Sequence, residues 1–448
     1  MARLAVAAST SEREPRGASP PSSRPAIALI ALALVAYGAL AFGYIRLTPP
    51  WQNPDEPAHV NYVAFVATTG GLPVLQPGDW DSGLLERLKT GTLQPSDDIS
   101  AIRYESWQPP LFYVLAAPLY RMGSPETAPY RLRVFDAVLG ALTLLVAYLA
   151  ARQVLTPLLA ATVPLAITGV PMFTAVSASA SADPLANLFA AALVLALLRG
   201  SASLPREEFS PGSGSVWAVL LRPPLLLGAL LGLGLLTKLE LAIFVPLALG
   251  VIAIGPRRSW REALIVLVTA ALVTSPWLVH QVTSYGWTDP FAIARHSAVV
   301  TDQPRFPGLS PTWLAQFATV SFHSFWAQFG WMAVVAPDRL YLVWGALTLL
   351  AAIGLSTNAG ILGERAWQLL LATAFIAILA FVGYNLSFVQ FQGRYLFTAL
   401  VPIAILLVRG WSAIPPRPWA SPAIALALVA LNAYALLRVL VPGFAPNP

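Results

Sequence analysis

The sequence predicts an all-α, polytopic integral membrane protein of about 11 transmembrane helices, with a large first external loop that contains interfacial helices. Three observations lead there. Of 448 residues, 57% are hydrophobic and only 11% charged, whereas soluble domains carry about 25% charged residues. Apolar runs long enough to cross a ~30 Å hydrocarbon core recur along the whole chain. One loop breaks the pattern: residues 47–130 hold nine acidic and four basic side chains.

Composition also excludes several chemistries. There is no cysteine, so disulfides, thiolate metal sites and cysteine nucleophiles are ruled out. The four histidines, His59, His280, His296 and His323, are too scattered for a zinc pattern. The net charge of +6 is not gathered on one basic face, so no nucleic-acid partner is expected.

Residues 1–25 are rich in Ser, Pro, Ala and Arg and read as a disordered cytoplasmic tail. A single transmembrane domain is expected over 26–441, followed by an external tail at 442–448. Its first span, 26–46, lacks a convincing small-residue cleavage site and is read as retained. Within the polar loop, Gln108-Pro109-Pro110-Leu111-Phe112-Tyr113 opens an apolar run of about 10 residues, too short to cross. It is expected to lie at the interface as a helix, with the prolines at its first turn. Further spans are predicted at 132–151, 154–173, 184–199, 223–237, 239–255, 263–283, 339–356, 366–386, 395–409 and 420–441.

Arg and Lys in the short loops orient the bundle. With the N-terminus inside, the inner segments, which include Arg206, Arg222, Arg257 and Arg417, sum to +8 and the outer ones to −2. The cluster Arg257-Arg258-Ser259-Trp260-Arg261 is the clearest inner signal. Residues 47–130 and 284–338 then face outward. In the second of these, aromatics from Phe322 to Phe329 recur at helical spacing. That stripe fits an interfacial helix or a cover over a lipid groove.

The polar residues worth naming lie at that outer surface. Asp55 and Glu56 are adjacent, and on a helix adjacent side chains diverge by about 100°. Asp55 could cap the helix that begins near Pro57 or act on a ligand. Asp183, before Pro184, has the same two readings, and ionisable groups close to a bilayer are often functional. Lys238 could pair locally with Glu240 or bind phosphate. Arg394 could snorkel to headgroups or clamp a phosphate. Glu105 and Gln108 could line the same pocket, while His59 and Asn61 suit hydrogen-bond support of the loop.

Taken in order, several stretches resemble the GT-C class of membrane glycosyltransferases. The likeness is strongest to the superfamily of protein O-mannosyltransferases and lipid A aminoarabinose transferases, and to related uncharacterised bacterial membrane proteins. The stretches are Pro54-Asp55-Glu56-Pro57-Ala58-His59, Gln108-Pro109-Pro110-Leu111-Phe112-Tyr113, Arg131-Leu132-Arg133, Asp183-Pro184-Leu185, Leu235-Leu236-Thr237-Lys238 and Gly393-Arg394-Tyr395-Leu396. The resemblance covers roughly residues 26–410. It implies a polyprenyl-phosphate-linked sugar donor and a glycan, lipid or protein acceptor. An acid of the first external loop would be the base, here Asp55 with Glu56 beside it. Asp183 matches the acidic position of the second external loop, and Lys238 and Arg394 match positions that would face the donor phosphate; apart from the resemblance, Glu105, His59, Asn61 and Gln108 are expected with Asp183 to bind substrate, and Tyr395 to lie with the phosphate-binding cations. Gln108 stands where the pattern often has His, and no soluble C-terminal domain is expected after the last span, which would leave acceptor recognition to loops and outer helices.

The expected reaction is inverting transfer at the outer face of a bacterial cytoplasmic membrane, with the N-terminus cytoplasmic. No metal is required by that chemistry, although an Asp55–Glu56–Asp183 cluster could hold a divalent cation through oxygen ligands. Two alternatives remain open: a transporter or flippase for a lipid-linked sugar, and a non-catalytic protein of envelope assembly. Transporters favour internal repeats and acids at the bilayer midplane; here no repeat is visible and the acids gather at one surface.

Overall fold

A computed structural model of the chain describes residues 24–94, 96–201, 223–255, 258–357, 359–414 and 419–444. Residues 1–23 of the expected N-terminal tail, most of the C-terminal tail, and the inner arginines Arg206, Arg222, Arg257 and Arg417 lie outside the described residues, while Arg24 and Pro25 already belong to the first helix.

Among the described residues, the regular secondary structure is almost all helix. In chain order the helices are α1 (Arg24–Leu47), α2 (Glu56–Thr69), α3 (Ser82–Thr90), α4 (Leu111–Arg121), α5 (Ala128–Ala151), α6 (Pro157–Thr168), α7 (Pro171–Ser177) and α8 (Asp183–Ser201). They continue with α9 (Pro223–Leu235), α10 (Phe244–Ile254), α11 (Trp260–Tyr285), α12 (Ile293–Val299), α13 (Pro311–Trp326), α14 (Asp338–Ser356), α15 (Arg365–Asn385), α16 (Leu400–Trp411) and α17 (Ala420–Ala435). A short antiparallel pair, β1 (Gln328–Phe329) and β2 (Val334–Val335), follows α13.

Apolar helices occupy all eleven predicted span positions, but they are not eleven equal spans. Among the described residues, eight helices are long and apolar enough to cross a membrane, and α6 with α7 brings the number to nine if that bent pair is one span. The segments at 223–235 and 239–254 are shorter apolar helices. The expected helix at the end of the first loop is α4, which starts directly after Pro110.

The bend between α6 and α7 is 71°. It falls at Gly169-Val170, before Pro171, whose ring cannot continue the preceding hydrogen-bond ladder. A broken backbone inside lipid needs substitute partners. Asn432 supplies them: its amide donates to the Thr168 carbonyl (2.7 Å) and to Thr174 Oγ1 (3.0 Å), while its own oxygen accepts from the Tyr44 hydroxyl (2.9 Å). The bend delivers the chain to the buried Ser177–Ala182 turn, from which α8 begins.

Packing centres on α1, α5, α6, α8 and α16, with α5 against α8, α1 against α6 and α14 against α16. In that last crossing the backbones touch, since a Cβ on Gly354 would lie 2.0 Å from the Gly410 carbonyl oxygen. Small residues at such crossings let helices approach closely where water supplies no hydrophobic drive. Two of the aromatics near 322–329 pack into the bundle. Trp326 is buried and stacks on Trp344 of α14 (5.6 Å), and Phe325 meets Phe397 edge-on (5.4 Å).

Candidate active site

At one end of the bundle the loops after α1, α7, α9, α11 and α15 converge on a cavity of about 770 Å³. Its polar wall includes Asp55, Glu105, Asp183, Lys238 and Arg394, residues far apart in sequence. Leu239, Ile243, Ala377, Ala380 and Phe381 form an apolar side between the start of the α10 segment and α15.

Asp55 occupies the position before α2 but does not cap it. Its backbone is left-handed (φ 64°), and its side chain makes no bond to the helix N-terminus. That conformation is uncommon and costly for a residue with a Cβ. The carboxylate turns away to other partners: Oδ1 accepts from the Tyr104 hydroxyl at 2.8 Å, and Oδ2 accepts from Arg394 Nη2 at 2.5 Å. Burial pushes the Asp55 carboxyl up, but the charge on Arg394, helped by His59 and Tyr104, more than offsets this and holds it below its ordinary value.

Arg394 is buried and reaches three partners. Besides Asp55, it donates from Nη1 to Asp183 (3.4 Å) and from Nε to Gln392 Oε1 (2.7 Å). It does not snorkel. The preceding Gly393 makes this seat possible, since a Cβ there would fall 2.1 Å from the Ser321 carbonyl oxygen of α13. Gly393 N–H also donates to Ser324 Oγ at 2.7 Å.

Asp183 opens α8, yet its oxygens go to Lys238 and Arg394. Lys238 sits in the turn between α9 and the α10 segment and pairs with Asp183 across the site, in place of the local pairing with Glu240. Burial opposes its charge, but Asp183 and Glu240 nearby raise it above its ordinary value. Its ammonium and the Arg394 guanidinium both lie over the Tyr395 ring, at 5.9 and 5.5 Å.

Glu56 is placed differently from the expectation of a carboxylate working beside Asp55. It is fully buried, away from the cavity wall, and Arg133 of α5 grips it bidentately at 2.6 and 2.7 Å. Arg133 also donates to the carbonyls of Ile45, Thr48 and Pro49. Glu56 in turn accepts from the backbone N–H groups of Trp51 (3.0 Å) and Ala180 (3.3 Å). It therefore ties the Asp55 loop to the turn that carries Asp183. An Asp55–Glu56–Asp183 cation cluster does not fit this arrangement, because Arg133 takes the Glu56 oxygens. Among the described residues, no group of three or more His, Asp or Glu is arranged to hold a metal ion.

Other expected residues fall around the same centre. His59 lines the cavity and shares a 2.8 Å hydrogen bond with the Tyr113 hydroxyl. Burial lowers its pKa to about 4, so it is neutral at physiological pH. Asn61 is off the cavity, where it donates to the carbonyls of Ile99 and Ile102 and braces the loop. Gln108 lines the cavity. Glu105 does so too; burial, with Asp55 nearby, raises its pKa to about 7, and its Oε2 has no hydrogen-bond partner. Two further cavity residues carry no sequence signal of their own: Tyr104, one position before Glu105, and Trp331, which donates to the Trp51 carbonyl (2.9 Å).

The sequence of residues 108–280 matches the family described as dolichyl-phosphate-mannose-protein mannosyltransferase. No curated protein matches the chain by sequence. Among solved structures, ArnT from Cupriavidus metallidurans bound to undecaprenyl phosphate superimposes with a TM-score of 0.56 at 18% identity, over 90% of this chain and 63% of that one. The oligosaccharyltransferase of Archaeoglobus fulgidus in its apo form gives 0.52 at 13% identity, over 93% of this chain and 55% of that one. This chain thus spans less than two thirds of the length of either. The likeness to these solved structures is therefore one of fold across nearly the whole chain, and the likeness in sequence is to the mannosyltransferase family across residues 108–280.

Proposed function

We propose that this protein is a membrane glycosyltransferase that moves a sugar from a polyprenyl-phosphate-linked donor to an acceptor hydroxyl at the outer face of a bacterial cytoplasmic membrane. The observation that carries this reading is the convergence of Asp55, Asp183, Lys238 and Arg394 on one cavity that also has an apolar side. A lipid phosphate needs that combination, with fixed cations for its head and apolar wall for its tail. Structural likeness to ArnT, which was solved with undecaprenyl phosphate bound, supports the same class of donor.

In this mechanism Asp55 takes the proton of the acceptor hydroxyl as that oxygen attacks the anomeric carbon. The bond from that carbon to the phosphate oxygen breaks, and its electron pair leaves with the lipid phosphate. Attack opposite the leaving group inverts the anomeric centre. Arg394 and Lys238 stabilise the charge that grows on the phosphate, with Tyr395 beneath both cations. A phosphate leaves without a general acid, unlike the alcohol in glycoside hydrolysis. Asp183 fixes the two cations, and Glu105, His59 and Gln108 face the sugar or the acceptor. Asn61 and Glu56 act by holding the loop. No step requires a metal.

The test uses full-length protein in nanodiscs with a panel of radiolabelled polyprenyl-phosphate monosaccharides. One donor is expected to bind saturably and to turn over slowly to free sugar or product. Asp55→Asn should keep binding and fold while turnover falls by at least ~10²-fold, and Arg394→Ala should weaken binding. Full turnover in Asp55→Asn ends the assignment of the base. Absence of binding across the panel, with both variants indistinguishable from wild type, favours transport or scaffolding.

A further inference from the structure

Arg394 has two duties in the reading above, and they compete. It is the cation for the donor phosphate, and it is also the charge that neutralises the base. Its guanidinium carries five N–H donors. Three are committed, one each to Gln392, Asp183 and Asp55, and the Asp55 contact is the shortest at 2.5 Å. Two N–H groups are left for an arriving phosphate, on the nitrogens that hold the two carboxylates. Lys238 has one of its three N–H groups committed, to Asp183, and does not touch Asp55, so Arg394 alone couples the phosphate to the base.

Asp55 is correspondingly quiet. Oδ2 faces Arg394, and Oδ1 accepts from Tyr104, a buried side chain anchored by edge-on packing against Trp80 (5.0 Å). An acceptor hydroxyl that entered the empty site would meet a carboxylate whose charge is spent on an ion pair. The remaining polar groups around it do not change that. His59 is neutral, and Lys238 is balanced by Asp183. Glu105 and His296 line the same wall and feel the Asp55 charge, but neither supplies a cation: Glu105 is an acid, and burial holds His296 neutral with a pKa of about 4.

Resting on the glycosyltransferase reading, we infer that the donor switches on its own base: the lipid phosphate draws the Arg394 charge off Asp55, so the donor binds before the acceptor, while Tyr104 holds the released carboxylate in place. Tyr104 is thus a positioning residue. Its hydrogen bond to Oδ1 keeps the carboxylate fixed when the Oδ2 contact loosens. The left-handed backbone at Asp55 suits this, because the loop aims the side chain into the site at the expense of a helix cap. The proton balance is simple. The hydroxyl proton passes to the oxygen that Arg394 has given up, and no redox step is involved.

Proton linkage tests this without a known acceptor. Full-length protein in nanodiscs is titrated with undecaprenyl phosphate by calorimetry, in buffers of different ionisation enthalpy, from about pH 6 down to pH 4.5. A carboxylate that loses its cationic partner binds protons more readily. Wild type should therefore take up more protons on binding than Asp55→Asn, by roughly 0.3 proton or more at the lower end. Both proteins carry Glu105→Gln, because the Asp55 charge helps to set the Glu105 pKa of about 7 and that group would not cancel in the difference; His59 and His296 titrate lower, at about 4. In Tyr104→Phe, binding should stay within about twofold of wild type while the extra uptake moves to higher pH by up to about one unit.

If undecaprenyl phosphate binds, Arg394→Ala weakens it, and uptake is equal in wild type and Asp55→Asn, the switching inference is overturned and the glycosyltransferase reading stands. A Tyr104→Phe profile identical to wild type removes the positioning role. If undecaprenyl phosphate does not bind, or binds as well to Arg394→Ala, the underlying reading falls and the inference falls with it.

Discussion

At the scale of single residues, Glu105 gives the site a pH signature. Burial and the nearby charge of Asp55 raise its pKa to about 7, from an ordinary value of 4.5. The folded protein therefore binds this proton where the unfolded chain has lost it. The sign follows: stability falls as pH rises from about 4.5 to 7, then levels off with respect to this group. Glu105→Gln should reduce that fall, read as the melting temperature in detergent across the range. An unchanged slope would show that Glu105 does not carry this proton. His59 acts in the opposite direction: burial lowers its pKa to about 4 from an ordinary 6.5, so its contribution to stability rises with pH between about 4 and 6.5 and then levels off.

At the scale of elements, the site depends on two devices that hold loops at fixed distances. The first is the Arg133–Glu56 pair, which fastens the end of α1, the Asp55 loop and the Asp183 turn to α5. Removing one partner would strand a buried charge, which typically costs about 3–5 kcal/mol. The second is Gly393, which lets the Arg394 segment lie directly on the backbone of α13. Gly393→Ala has nowhere to put its methyl, since Phe325 N would be 2.5 Å away and the Ser321 oxygen nearer still. The expected cost is about 1–3 kcal/mol, with Arg394 displaced from Asp55. Thermal unfolding and undecaprenyl phosphate binding should both weaken in Gly393→Ala. If the variant binds as tightly as wild type, the close approach does not position Arg394.

At the scale of the whole molecule, the cavity lies at one end of the bundle, so the proposed outward topology can be tested in a single experiment. The natural chain has no cysteine, so single substitutions report cleanly. Ser82 lies on α3 by the cavity mouth and is exposed, and Ser356 lies at the last residue of α14, at the other end, also exposed. In intact cells Ser82→Cys should react with a membrane-impermeant maleimide, and Ser356→Cys only after the membrane is opened. The reverse pattern would invert the topology and place the proposed chemistry on the inner face.

The sequence by itself determined the class of the fold. Charge scarcity and repeated apolar runs demand helices that satisfy their own backbone in lipid, and the positions of those runs all hold apolar helices. The polar outliers Asp55, Asp183, Lys238 and Arg394 were also legible there, because a charged group is costly next to a bilayer and so needs a reason. What the sequence left open was pairing. Asp55 beside Pro54 looks as much like a helix cap as a base. Lys238 looks as much like the partner of Glu240 as of Asp183. Glu56 reads as the twin of Asp55, and only the three-dimensional packing brings Arg133, 77 positions along the chain, onto it. Tyr104 and the 71° bend carry no motif at all. These are long-range relations, set by which helix ends meet. Local spacing does not encode them, so tertiary structure alone decided which carboxylate faces the cavity and which one holds the scaffold together.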